Sequence, residues 1–127
     1  MASHLAISEP QLKEIQQATS EDETLKDVMK IIIEGWPAKK DGLHARVHPY
    51  FHIRDELATQ DGSVFKGPRA VIPEHLRKKI REKLHVAHTG IQSCLRRARE
   101  VVYWPGMNKD LTDYIAKCDT CNTFQHN

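Results

Sequence analysis

Long apolar runs are missing from this chain. The most hydrophobic stretch, VMKIIIEGW at residues 28–36, is interrupted by charges and falls far short of the ~20 residues that span a bilayer. The opening MASHLA has none of the basic–apolar–small pattern of a secretion signal. Cysteine is scarce and odd in number, at three, which argues against a disulfide framework and for reduced thiols or metal ligation in an intracellular setting. There is no glycine-rich loop to cradle a phosphate, no internal repeat and no low-complexity segment. Paired carboxylates do occur, at Asp22/Glu23 and Asp55/Glu56, but they fall in caps and turns and read as solvated.

What is present suits a soluble globular protein: 39% hydrophobic and 28% charged residues in 127. That length fits one domain or one domain with an appendage, and a sub-domain of about 50 residues would need a staple. The net charge of +2 is unevenly spread. Residues 1–73 carry −2 and residues 74–127 carry +4. Between Glu74 and Lys109 stand nine basic residues and three acidic ones, so the back half is the candidate for a polyanionic partner, against the blander reading of a solvated helix surface.

The pattern predicts an α+β chain, mainly helical, with a small antiparallel sheet. Ser8-Glu9-Pro10-Gln11 resembles a capping box and opens a first helix. Ser20-Glu21-Asp22-Glu23 repeats the signal, followed by Leu25, Val28, Met29, Ile32 and Ile33 at helical spacing and a stop at Gly35. These helices define a front region, 1–36, and the turn-rich stretch 37–49 reads as a linker. Residues 50–73 read as a β extension with strands near 56–59, 63–66 and 69–72, broken at Asp61-Gly62 and Gly67-Pro68. Residues 74–127 carry three apolar stripes: Leu76, Ile80, Leu84 and Ala87; then Ile91, Leu95, Ala98 and Val102; then Leu111, Tyr114, Ile115 and Cys118. Three short helices with tight breaks suggest a helix-turn-helix bundle, marginal on packing alone.

The same segment holds its own staple. His85-x-x-His88 is followed, after residues 89–117, by Cys118-x-x-Cys121. Two imidazoles on one side of a helix and two thiolates on one turn make a closed tetrahedral shell, so the spacing points to one structural zinc per chain. A redox reading of Cys118-x-x-Cys121 needs a strand-to-helix context that is absent here. Cys94, beside the second stripe, reads as a buried thiol. His44, His48 and His52 mimic a metal cluster but Pro49 interrupts them, while His75 and His126 lie close enough to the set to stand as rivals. Neither Cys121 nor Cys94 has a base or oxyanion site placed around it to make a nucleophile.

The phrases LHVAHTGIQSC, VVYWPGMNKD and YIAKCDTCN closely resemble the HHCC zinc-binding N-terminal domain of integrases from gypsy-type LTR retrotransposons. RDELATQDGSVFKGPRAVIP is similar to the extension preceding that module, so the resemblance covers about residues 50–125; residues 8–35 resemble, less specifically, the region joining reverse transcriptase/RNase H to integrase. It departs from the family in the short gap between the two histidines and in Asn122, where many members have Gln. The resemblance implies zinc ligands at His85, His88, Cys118 and Cys121, and a structural aromatic turn at Tyr103, Trp104 and Pro105. It also implies a module that helps an integrase multimerise and grip element-end DNA in the nucleus. The chemistry itself would need a D,D-E core with magnesium, for which the residues before Asn127 leave no room. The expectation is therefore a non-catalytic fragment or a domesticated remnant.

Candidate phosphate contacts are Arg77, Lys78, Lys79, Arg81 and Lys83 on the first bundle helix, Arg96, Arg97 and Arg99 on the second, and Lys109 on the third. A rival reading is a self-associating protein-interaction module, motivated by the apolar stretch Val28–Ile33 and by Trp36.

Overall fold

The structure is a computed structural model, and it describes residues 8–85 and 91–118. His88, Cys121, Asn122 and His126, and with them half of the expected ligand set, lie outside the described residues. The described residues form six helices and a four-stranded sheet, an α+β arrangement as the pattern predicts.

Helix α1 (Glu9–Ser20) opens with the expected capping box: the Ser8 amide donates to Gln11 Oε1 at 2.9 Å and the Gln11 amide donates to Ser8 Oγ at 3.3 Å. Helix α2 (Glu23–Glu34) starts differently from the expected S-x-x-E signal. Its cap is Asp22, whose Oδ1 accepts from the Leu25 amide at 2.9 Å. Ser20 is the last residue of α1, and its hydroxyl donates back to the Gln17 carbonyl. The other Asp22 oxygen accepts from the Glu74 amide at 3.1 Å, so one carboxylate caps α2 and holds a loop 52 residues away. Gly35, at φ 101°, ends α2 in a conformation that few other residues adopt.

The stretch that reads as a linker is built of short 3-10 turns, Lys40–Gly42 and Ala45–Val47, leading into the four-residue α3 (His48–Phe51). It contributes Val47 to the core. Strands β1 (Leu57–Gln60), β2 (Ser63–Lys66) and β3 (Arg69–Val71) pair in antiparallel order. The β1–β2 turn has positive φ at both Asp61 and Gly62, the geometry whose twist suits a two-residue hairpin.

Beyond β3 the chain forms α4 (Arg77–Leu84), α5 (Ile91–Val101), the two-residue strand β4 (Val102–Tyr103) and α6 (Met107–Ala116). Strand β4 is an addition to the antiparallel sheet that the pattern predicts. It pairs parallel to β3, Ala70 with Val102 and Val71 with Tyr103, which makes the sheet mixed. A parallel pair requires a long crossover, and the segment containing α4 and α5 is that crossover. Val102, which continues the apolar stripe of α5, leaves the helix yet stays buried.

Strand β3 divides the core by its alternation. Ala70 and the following Ile72 pack in one cluster with Ile15 and Ala18 of α1, Leu95 and Ala98 of α5, Trp104 and Leu111. Val71 points into a second cluster with Leu25 and Val28 of α2, Val47, Tyr50, Leu57 and Val64. Burying each such side chain is worth about 1.5–3 kcal/mol, so both sides contribute to stability.

Tyr50 sits in the second cluster, 2% exposed, with its hydroxyl beside Arg77. Burial pushes its phenol from the ordinary 10.0 up to about 12, with the nearby Arg77 charge opposing the rise and Asp22 adding to it. The unfolded phenol therefore ionises first. Stability from this group is full below pH 10.0 and is lost as pH rises toward about 12. Urea unfolding across that window should show the decline in the native chain and a shallower one in Tyr50→Phe. Equal slopes would place the alkaline sensitivity elsewhere.

Candidate metal centre and basic surface

His85 follows the last residue of α4. Its amide donates to the Arg81 carbonyl at 3.0 Å, and its side chain is tucked in at 5% exposure. The ring meets Tyr114 of α6 edge-on, with centroids 5.5 Å apart and planes at 78°. Cys118 lies just beyond α6, its amide donating to the Ile115 carbonyl at 2.9 Å, and it packs with Tyr114, Ile115, Ile91 and the fully buried Cys94. Tyr114 is thus the shared neighbour of the two described donors. Its phenol is raised, by burial first and by Glu82 next; Arg81 opposes the rise and Cys118 adds a little.

Polar links fix α4 against α6. Arg81 reaches both oxygens of Asp110 at 3.2 Å, and the same carboxylate accepts from Trp104 Nε1 at 3.0 Å. Trp104 itself is 1% exposed, so its indole nitrogen finds in Asp110 the partner a buried N–H requires. The guanidinium of Arg81 also lies 5.2 Å from the Tyr114 ring centre. Asp110 carried no signal in sequence beyond its place six residues after Trp104. Tyr103 is half-buried in β4, and Pro105 is half-buried beside the core Trp104.

A nitrogen and a sulfur donor, one buried and one half-buried, meeting around one tyrosine at the converging ends of two helices, is chemistry suited to zinc. No group of three His, Cys, Asp or Glu side chains able to hold a metal occurs among the described residues. Two of the four expected ligands are outside that set. Cys94, as expected of a buried thiol, donates to the Leu84 carbonyl at 3.3 Å. The histidines near Pro49 have local partners: His44 Nδ1 accepts from the Arg46 amide, and His48 Nε2 lies 2.9 Å from the Leu43 carbonyl.

The expected DNA-contacting cations divide into two sets. Arg77 donates to the Ile72 carbonyl at 3.1 Å, Lys79 pairs with Glu14 of α1 at 2.6 Å, and Arg81 is held by Asp110. Arg97 is half-buried, 3.8 Å from Cys94 Sγ. Lys109 pairs with Asp113 on an exposed turn, an interaction worth little in water. Lys78, Lys83, Arg96 and Arg99 are exposed and have no ion-pair partner among the described residues. Two further cations went unnoticed in sequence. Lys66 and Arg69 face each other across the β2–β3 register, near the Tyr103 ring at 5.2 and 5.5 Å. The signal was there in the KGPR turn, which places two basic residues opposite one another.

This architecture defines a small α+β module whose helices converge on nitrogen and sulfur donors. Residues 72–127 match the family of integrase zinc binding domains, a likeness that supports zinc as the metal. Over 108 residues, 85% of this chain, it is 25% identical to K02A2.6, an uncharacterized protein of Caenorhabditis elegans. Over 56 residues, 43% of the chain, it is 30% identical to the Pro-Pol polyprotein of feline foamy virus. The matches span 8% and 5% of those two proteins, so the chain corresponds to a small part of each. No helix among the described residues is long and apolar enough to cross a membrane.

Asp110→Ala strips the acceptor from a buried indole and from Arg81 together. The expected cost is about 2 kcal/mol, with Asp110→Asn less harmful because one acceptor remains. Denaturant titration of the zinc-loaded protein measures it, and an unchanged midpoint in Asp110→Ala would show that this node carries no load.

Proposed function

We propose that His85, His88, Cys118 and Cys121 hold one structural zinc per chain. We further propose that the chain is the non-catalytic N-terminal module of a gypsy-type retrotransposon integrase, in an element or domesticated by a host. The observation that carries the ligand set is the burial of His85 against Tyr114, the residue that also neighbours Cys118. In this reading residues 74–127 form the zinc unit, 50–73 its β extension and 1–36 a helical front joined by 37–49. The module helps an integrase multimerise and binds element-end DNA in the nucleus. Strand transfer belongs to a separate D,D-E core with magnesium.

The DNA reading draws support from the exposed cations Lys78, Lys83, Arg96 and Arg99, joined by the weakly paired Lys109. Arg77, Lys79, Arg81 and Arg97 contribute to the local field but are already engaged within the fold. The rival, a protein-interaction module, draws less from the structure than from the sequence. Val28 is buried, Trp36 packs on Phe51 at 6.1 Å, and Ile33 is the exposed large hydrophobic residue of that stretch among the described residues. Sedimentation separates the two: a tight dimer indifferent to DNA favours the rival.

Native mass spectrometry should find one zinc per chain, lost with chelator together with helical signal. Structural zinc is worth on the order of 10 kcal/mol in small domains, so Cys121→Ser should abolish both, while His75→Ala and His126→Ala leave them intact. Zinc retained by Cys121→Ser would refute the ligand set. Duplex DNA should bind weakly, and log affinity should fall linearly with log salt. Arg96→Ala combined with Arg99→Ala should reduce that slope by about 2, whatever the sequence. Absence of binding even at low salt would remove the DNA reading.

A further inference from the structure

Arg69, beside Tyr103, lines a groove whose sheet side the reading above does not use. It lies between the edge of the sheet and the ends of α5 and α6, with a volume of about 240 Å³. Trp104 and Met107, both buried, form its apolar floor. Arg69 and Tyr103 form one wall, the guanidinium carbon 5.5 Å from the ring centre. Arg99 and Lys109 stand on the other side, exposed. The start of α6, which carries no side-chain cap, closes one end.

Each part constrains the ligand. A volume of this size is far too small for a duplex, whose major groove alone is about 12 Å wide. Cations around the groove select an anion, and an apolar floor beside an arginine and an aromatic ring selects a flat, π-bearing group. Unpaired nucleotides combine the two, because splayed bases stack on aromatic rings and on arginine planes while their phosphates seek nearby cations. An inorganic anion would leave the floor unused, and an apolar peptide side chain would leave Arg99 and Lys109 unused. Lys109 is available because its pairing with Asp113 is exposed to solvent and therefore weak.

We propose that this groove holds one unpaired nucleotide of a single-stranded nucleic acid. The base stacks on the platform of Arg69 and Tyr103, and its flanking phosphates pair with Arg99 and Lys109. The inference rests on the nucleic-acid reading of the module and narrows it from duplex to single strand at this place. It also gives the β extension a direct part in binding, since Arg69 comes from β3.

The test uses the zinc-loaded full chain with a fluorescent oligothymidylate and a duplex of equal length. Arg69→Ala should weaken single-strand binding about tenfold while changing duplex binding less than twofold. Arg69→Lys keeps the charge without the plane and should recover little of the loss. Arg96→Ala, exposed on α5 but not lining the groove, should lower both affinities alike. Thermal unfolding of each variant confirms that the fold is intact. If Arg69→Lys binds the single strand as the native chain does, or if Arg69→Ala and Arg96→Ala lose it equally, stacking in the groove is overturned although the module still binds DNA. If neither oligonucleotide binds at low salt, the broader nucleic-acid reading falls with it.

Discussion

The parallel pairing of β4 on β3 constrains everything C-terminal to the sheet. Two hydrogen-bonded residues, Val102 and Tyr103, oblige the chain between Val71 and Val102 to cross over the sheet and return beside its own starting strand. Helix α5 then packs Leu95 and Ala98 onto the same side of the sheet as Ala70 and Ile72. The chain leaves β4 through Trp104, which inserts into that core and hands its indole N–H to Asp110 in the first turn of α6. Asp110 in turn holds Arg81 of α4. A short strand, an indole and a carboxylate therefore set how α4 and α6 meet, and His85 and Cys118 each arrive beside Tyr114 as a consequence.

The front helices take part in this arrangement. Ile15 and Ala18 of α1 pack in the cluster that contains Leu95, Trp104 and Leu111, and Lys79 reaches Glu14. Asp22, while capping α2, holds the Glu74 amide where the chain enters α4. Residues that match no part of the zinc-binding family, which begins at residue 72, thus supply walls to its core. The 25% identity to the worm protein runs over 85% of the chain, in keeping with a fold whose parts are packed together.

Local signals were legible in the sequence where the physics is local. The capping box at Ser8, the glycine stop at Gly35 and the hairpin at Asp61-Gly62 each depend on a few neighbouring residues, and each forms. The spacing of the proposed ligands His85, His88, Cys118 and Cys121 stands out in the sequence because metal chemistry restricts donor types so narrowly. Features made by distant partners left no such trace. A two-residue strand has no alternation to detect, and Val102 satisfies a helical stripe and a strand core equally well. Asp22 outcompetes the expected cap because Ser20 spends its hydroxyl on Gln17. Charge counting could not tell Arg77, Lys79 and Arg81, which hold the fold together, from Lys78, Lys83, Arg96 and Arg99, which face solvent.

That division gives the proposed metal a task at the end of α4. Helices α5 and α6 each bury three side chains of their own, whereas α4 buries none; Ile80 and Leu84 are only partly covered. An eight-residue helix cannot persist on intrinsic propensity. Its anchors are Leu76 just before it, the polar links from Arg77, Lys79 and Arg81 along it, and His85 just after it. Of these links Lys79–Glu14 is solvated and weak, while those of Arg77 and Arg81 are partly buried yet hold the helix at single points. In the proposed ligand set, zinc grips α4 at the end opposite Leu76 and joins it to the segment after α6. It does there by coordination what apolar packing does for the other two helices. Such a demand makes the metal structural, since an ion whose role is to hold a poorly buried helix in place has every reason to fill all four positions with protein.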